Sequence, residues 1–88
     1  MFTTGRKYLI LAYLNTGKND LATARIIDFL KVSPNDINML LHFAALEEKR
    51  GNVKEALKAY KKIIELSPGH QKAEEAYLRL RLENLQHE

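Results

Sequence analysis

Apolar residues recur along this chain at helical intervals. In the second half, Ala56, Leu57, Tyr60, Ile63, Ile64 and Leu66 follow the i, i+3, i+4, i+7 spacing that lines one face of a helix. The run MLLHFAALEEKR, beginning at Met39, behaves likewise and stops before Gly51. Glycine ends a helix readily there because it tolerates positive φ. Asn52 follows as a cap for the next helix, with Glu55 three residues on. Ser33-Pro34 and Ser67-Pro68 read as an N-cap followed by proline at the first helical position, where its missing N–H costs nothing. Asp36, just beyond, suits the positive end of the helix dipole. No segment alternates apolar and polar residues over a strand length. The pattern predicts five helices, at about 4–15, 19–31, 34–49, 53–65 and 68–85, with short connections that make neighbours antiparallel.

The stretch YLILAYL, Tyr8 to Leu14, is apolar without interruption and follows Arg6 and Lys7. It falls short of the about 20 residues that span a bilayer. A secretory signal fits poorly, because Tyr8 and Tyr13 are bulky and small residues follow only at ATA. Composition alone leaves a short strand open, and the helical pattern of the remaining chain decides for a helix. On that helix Leu9, Ile10, Ala12 and Tyr13 are expected to face neighbouring helices, leaving Leu11 and Leu14 over.

The chain also repeats itself. Gly17 recurs as Gly51, Ala22 as Ala56, and Ser33-Pro34 as Ser67-Pro68, each pair 34 residues apart. Apolar positions keep the same offset: Leu9 with Phe43, Ile26 with Tyr60, Phe29 with Ile63, Leu30 with Ile64, Val32 with Leu66. In this the chain resembles the tetratricopeptide repeat (TPR) family, whose 34-residue units are helical hairpins. Ala44, Gly51, Ala56, Tyr60 and Pro68 match its pattern in the second unit, while Leu40, Phe43 and Glu47 depart from it. The first unit keeps Leu9, Tyr13, Gly17, Ala22 and Pro34. It departs at Arg6, and it has Ile10 and Phe29 at close-contact positions, which implies wider helix packing there. The resemblance implies one all-α domain over 1–88: repeat one at 3–36, repeat two at 37–70, and a capping helix at 71–88. Its antiparallel helical hairpins would stack as a short right-handed α-solenoid. The rivals are a related hairpin array or a plain five-helix bundle.

Composition removes several chemistries. Eighty-eight residues suit one small domain. The chain has no cysteine, so disulfides, thiol catalysis and cysteine-based zinc sites are excluded. The net charge of +3 is mild, and EEKRGNVKE interleaves the two signs as a solvated surface does. In AYLNTGKN, Ala12 and Asn19 stand where a phosphate-binding loop needs Gly and Ser/Thr. His42, His70 and His87 form no metal-binding pair, and only His42 keeps interest, as a groove residue. Glu47-Glu48 and Glu74-Glu75 are adjacent carboxylates that read as solvated helix surface. No enzyme, cofactor or metal is therefore expected. Nucleic acid is not an expected partner either: the similar pentatricopeptide arrays read one base per repeat, and two repeats read almost nothing. No membrane insertion is expected, and the cytoplasm is the default compartment.

The resemblance implies a concave face that binds a peptide or helix of a partner protein, lined by the first helix of each hairpin. Its positions fall on Lys7, Leu11, Leu14 and Asn15 in the first helix. In the third they fall on Asn38, Leu41, His42, Ala45, Glu48 and Lys49. In the last they fall on Lys72, Glu75, Ala76 and Arg79. Leu11, Leu14 and Leu41 would form an apolar strip with Lys7, Lys49 and Lys72 around it, an apolar anchor with a charged rim. One branch of the family clamps a C-terminal carboxylate. Of the five clamp positions, Lys7 and Lys72 match, whereas Leu11, His42 and Ala76 do not. Leu78, Leu82 and Leu85 form a second apolar stripe on the last helix, unusual for a polar cap, and point to homodimerisation or packing on further repeats.

Overall fold

The computed structural model describes residues 2–86, with side chains placed from Lys7 to Leu85. His87 and the Arg6 side chain lie outside the described residues. Five helices are present: α1 (Phe2–Asn15), α2 (Asn19–Val32), α3 (Ile37–Lys49), α4 (Val53–Leu66) and α5 (Gln71–Gln86). There is no strand among the described residues. The chain divides into two compact units, one ending at Pro34 and one starting at Asn35.

The first unit is the α1–α2 hairpin. Its turn places Gly17 at φ +75°, and Lys18 N–H donates back to the Tyr13 carbonyl at 2.9 Å. Ile10, Ala22, Ile26 and Phe29 form the core, with Thr23 buried beside them. The Thr23 hydroxyl donates to the Asn19 carbonyl at 2.8 Å, so its burial leaves no bond unmade. Of the run Tyr8–Leu14, only Ile10 is buried. Leu9, expected to face a neighbour, is exposed, and so is Ala12; Tyr13 is half-buried. A single antiparallel neighbour covers one line of a helix, so an all-apolar helix keeps apolar surface on its other sides.

In the second unit α4 packs against both α3 and α5. Met39, Leu40, Ala44 and Leu46 from α3 meet Ala56, Ala59, Tyr60 and Ile63 from α4, and Ala73 and Leu80 complete the core from α5. Burying a side chain such as Ile63 completely is worth about 1.5–3 kcal/mol. Because α3 and α5 each run antiparallel to α4, they are parallel to one another, and their N-termini lie at the same end.

The 34-residue offset is visible in the backbone. Gly51 has φ +82°, and Asn52 N–H donates to the Glu47 carbonyl at 2.8 Å, as Lys18 does to Tyr13. The residue after each glycine takes the same conformation, φ −85°, ψ 66° at Lys18 and φ −86°, ψ 71° at Asn52.

Helix starts differ from those expected. Ser33 and Ser67 cap the C-termini of α2 and α4, donating their N–H groups to Phe29 and Ile63. Each following helix begins three residues after its proline. Asp36 is the N-cap of α3 and accepts from Met39 N–H at 3.1 Å. His70 Nδ1 accepts from Ala73 N–H at 3.2 Å at the start of α5. Ser-Pro suits a turn as well as a helix start, because proline is equally at home as the second residue of a β-turn. In the second case the turn is closed by His70 N–H donating to the Ser67 carbonyl at 3.1 Å, with Gly69 at φ +85°. Asn52 stands at the expected N-cap of α4 but makes no side-chain cap bond. Its amide donates instead to Glu47 Oε2 at 2.8 Å.

Candidate functional site

The second unit carries a concavity of about 390 Å³. Asn38, Leu41, His42 and Ala45 line it from α3, positions that share one helix face. Tyr60 contributes from α4, and Lys72 and Ala76, one turn apart, from α5. Ala45 and Ala76 are short, and their size leaves the space open between two parallel helices. Leu41, Ala45 and Ala76 make its apolar part. Asn38, His42 and Lys72 make its polar part, and Asn38 and Lys72 stand in the first turns of α3 and α5.

Burial disfavours the charged imidazolium of His42 and holds its pKa below the ordinary histidine value; the Lys72 charge pushes the same way, and the Asp36 carboxylate opposes both. These effects together favour the neutral His42 ring in the free protein.

Beside the concavity, three helices meet at one carboxylate. Tyr60 is 5% exposed, and its hydroxyl donates to Glu48 Oε2 at 2.7 Å. Arg79 Nη2 donates to Glu48 Oε1 at 2.8 Å, and Arg79 Nη1 lies 3.7 Å from Glu83. Burial and then the Glu48 bond push the Tyr60 phenol well above its ordinary value. Its neighbour Glu47 is also buried, at 5% exposure, between Arg50 at 3.4 Å and Asn52. Glu47 and Glu48 are thus not the solvated surface that their sequence suggests. Glu48 faces α4 and α5, and Glu47 faces the α3–α4 turn.

Of the groove positions read from the sequence, Asn38, Leu41, His42, Ala45, Lys72 and Ala76 line one concavity. Glu48 and Arg79 are engaged with each other next to Tyr60. Lys49 and Glu75 are exposed and do not line it. The first-unit positions are placed separately. Lys7 is half-buried with its ammonium 5.7 Å from the Phe29 ring centroid, Leu14 is half-buried, and Leu11 and Asn15 are exposed. Leu78, Leu82 and Leu85 are 60%, 62% and 61% exposed. Sequence periodicity put Tyr60 in the core and missed its place on the concavity wall. The available signal was its hydroxyl, which needs a partner when buried.

Among the described residues, no three His, Asp or Glu side chains gather where they could hold a metal ion, and no helix is long and apolar enough to cross a membrane.

No protein-family model matches the chain, and no curated protein matches it. Among solved structures, 23 chains match. One, a mutant of the protein MamA, superposes with a TM-score of 0.83 over 97% of this chain, at 22% sequence identity. The fold is an all-α, TPR-like helical repeat. The chain spans about half, 47%, of the length of that MamA structure. At this identity the likeness is one of fold alone, and it carries no residue role from one protein to the other.

Proposed function

We propose that this TPR-like chain is a non-catalytic protein-interaction module that holds a short segment of a partner protein in the concavity of the second unit. The observation that carries this reading is the concavity itself, with its apolar part walled by Leu41, Ala45 and Ala76 and its polar part by Asn38, His42 and Lys72. An apolar pocket with a few converging polar groups is what orients a ligand. In the same reading, α1–α2 and α3–α4 are two repeats, at 3–36 and 37–70, and α5 is the closing helix, at 71–88. The nearly identical turns at Gly17 and Gly51 support that division. A site of this size would bind weakly, on the order of micromolar. Peptide selection against the full chain, repeated with Leu41→Glu, tests the assignment. Leu41 is half-buried in the concavity, so the substitution is expected to abolish binding while helix content stays unchanged. Binding that survives it refutes the groove.

A second reading is favoured by one observation, the 60–62% exposure of Leu78, Leu82 and Leu85 in a row along α5. In it, this stripe pairs with another copy of the chain.

A further inference from the structure

The side chains that line the concavity of the second unit carry charge of one sign. Lys72 brings a full positive charge, Asn38 brings amide donors, and no carboxylate stands among the seven lining residues. The first turns of α3 and α5 flank the same end, where Asp36 caps α3 and Glu74 accepts the Gly69 N–H ahead of α5, so Lys72 is the charge that lines the cavity itself. This end is complementary to an anion, and the apolar part begins one turn away at Leu41, Ala45 and Ala76.

His42 belongs to both parts. The groups that face it are Asp36 and Asn38 from the start of α3, Tyr60 from α4, and Lys72 from α5. Asp36 accepts the Met39 N–H bond, and the Tyr60 hydroxyl is given to Glu48. Tyr60 is not set up to hold a charged imidazole, and the pull of Asp36 does not offset burial and the Lys72 charge. A carboxylate arriving between His42 and Lys72 would do so, because it supplies an acceptor for the ring and offsets the lysine.

We infer that the groove binds an internal Asp or Glu side chain of a partner segment, next to an apolar residue, and that His42 takes up one proton from solvent as the segment binds. This rests on the reading of the concavity as a peptide groove. An internal residue is favoured over a chain terminus because Asn38 and Lys72 are both exposed, so no described residue of the second unit closes the polar end and a segment can run on past it. The consequence is affinity that rises as pH falls. In the free protein His42 stays neutral to below its ordinary value; in the complex the carboxylate moves that midpoint upward. Between the two midpoints one proton is gained on binding, which allows up to about tenfold in affinity per pH unit. The gain reverses only when the ligand carboxylate is itself protonated, near about pH 4.

The test uses the full chain and a library of about twelve random residues displayed with both ends fused, so that every carboxylate is internal, selected at about pH 5.5 and about pH 7.5. Selected peptides are expected to carry Asp or Glu beside Leu, Ile or Phe, and to bind about 3–10-fold tighter at the lower pH. Calorimetry of one selected peptide, amidated, in buffers of different ionisation enthalpy is expected to show proton uptake. His42→Gln should flatten the pH profile, whereas Lys72→Met should weaken binding by about tenfold or more and leave the slope of the profile in place. Selected peptides without acidic residues, no proton uptake, or an unchanged pH profile in His42→Gln would overturn the inference and leave the groove standing. A library with free C-termini that outcompetes the fused one would overturn the internal assignment. No selected peptide at all, or binding indifferent to Leu41→Glu, would overturn the groove reading itself.

Discussion

Asp36 and Ser33 lie three residues apart, and only one of them starts a helix. Asp36 Oδ1 accepts the Met39 N–H, which otherwise has no partner within α3. Asp36→Ala should therefore destabilise the protein by about 1 kcal/mol. Ser33 ends α2 through its backbone N–H, which alanine retains, so Ser33→Ala should stay within about 0.5 kcal/mol. Denaturant titration of both variants separates the two roles, and equal losses would contradict this cap assignment. Gly51 differs in kind. A Cβ built there meets nothing within 4 Å, so the cost of substitution lies in its φ of +82° alone. Gly51→Ala should lose about 1 kcal/mol and Gly51→Asn less, because asparagine tolerates that conformation better. The glycine turns were legible in the sequence because a positive φ leaves few choices of residue. The serines were not, because Ser-Pro fits a helix start and a turn equally well.

At the scale of helices, Glu48 ties α3 to α4 through Tyr60 and to α5 through Arg79. A hydrogen bond to a charged group is worth about 1.5–3 kcal/mol when it is shielded. The Tyr60 bond comes close to that condition, whereas the half-exposed Arg79 contributes less, at most about 1 kcal/mol. Tyr60→Phe should then cost about 1–2 kcal/mol at neutral pH. A sharper signature appears in alkali. The unfolded chain releases the Tyr60 proton around the ordinary value of 10.0, while the folded protein holds it to higher pH. The native state thus binds more protons in that range, and stability falls as pH rises, by up to about 1.4 kcal/mol per pH unit. Unfolding curves recorded on both sides of that value should show this loss in the parent protein and its absence in Tyr60→Phe. An identical alkaline loss in the variant would contradict the role given to Tyr60. None of this cluster was legible in EEKR, because two adjacent glutamates point about 100° apart on a helix, and which of them faces a neighbour depends on packing that the local sequence does not encode.

For the whole molecule, the repeat offset carried most of the fold. Five helices, the hairpin pairing within each unit and the glycine turns all follow from apolar spacing and glycine position, which backbone geometry constrains strongly. The groove was legible only in part. Asn38, Leu41, His42, Ala45, Lys72 and Ala76 line one concavity, but the charged neighbours Glu48 and Arg79 are drawn into an ion pair that sequence spacing of 31 residues does not announce. The same offset bears on the leucine row of α5. Leu78, Leu82 and Leu85 lie 34 residues beyond Ala44, Glu48 and Gly51. In α3, Ala44 is wholly buried and Glu48 reaches Tyr60 of α4, so that side of the helix is covered by its hairpin partner. No described helix stands in the equivalent place on α5. Each of the three leucines leaves well over half its surface in water, and covering them would recover about 25 cal/mol per Å² of apolar area. Reversible association through this row is the expected outcome, read as an average mass that rises with concentration in sedimentation equilibrium. A triple Leu→Gln variant should remain monomeric with the same helical circular dichroism, since these side chains contribute little to the core. A parent protein that stays monomeric at every concentration would remove the second copy as the occupant of this face and leave the α3–α5 groove as the one binding surface proposed.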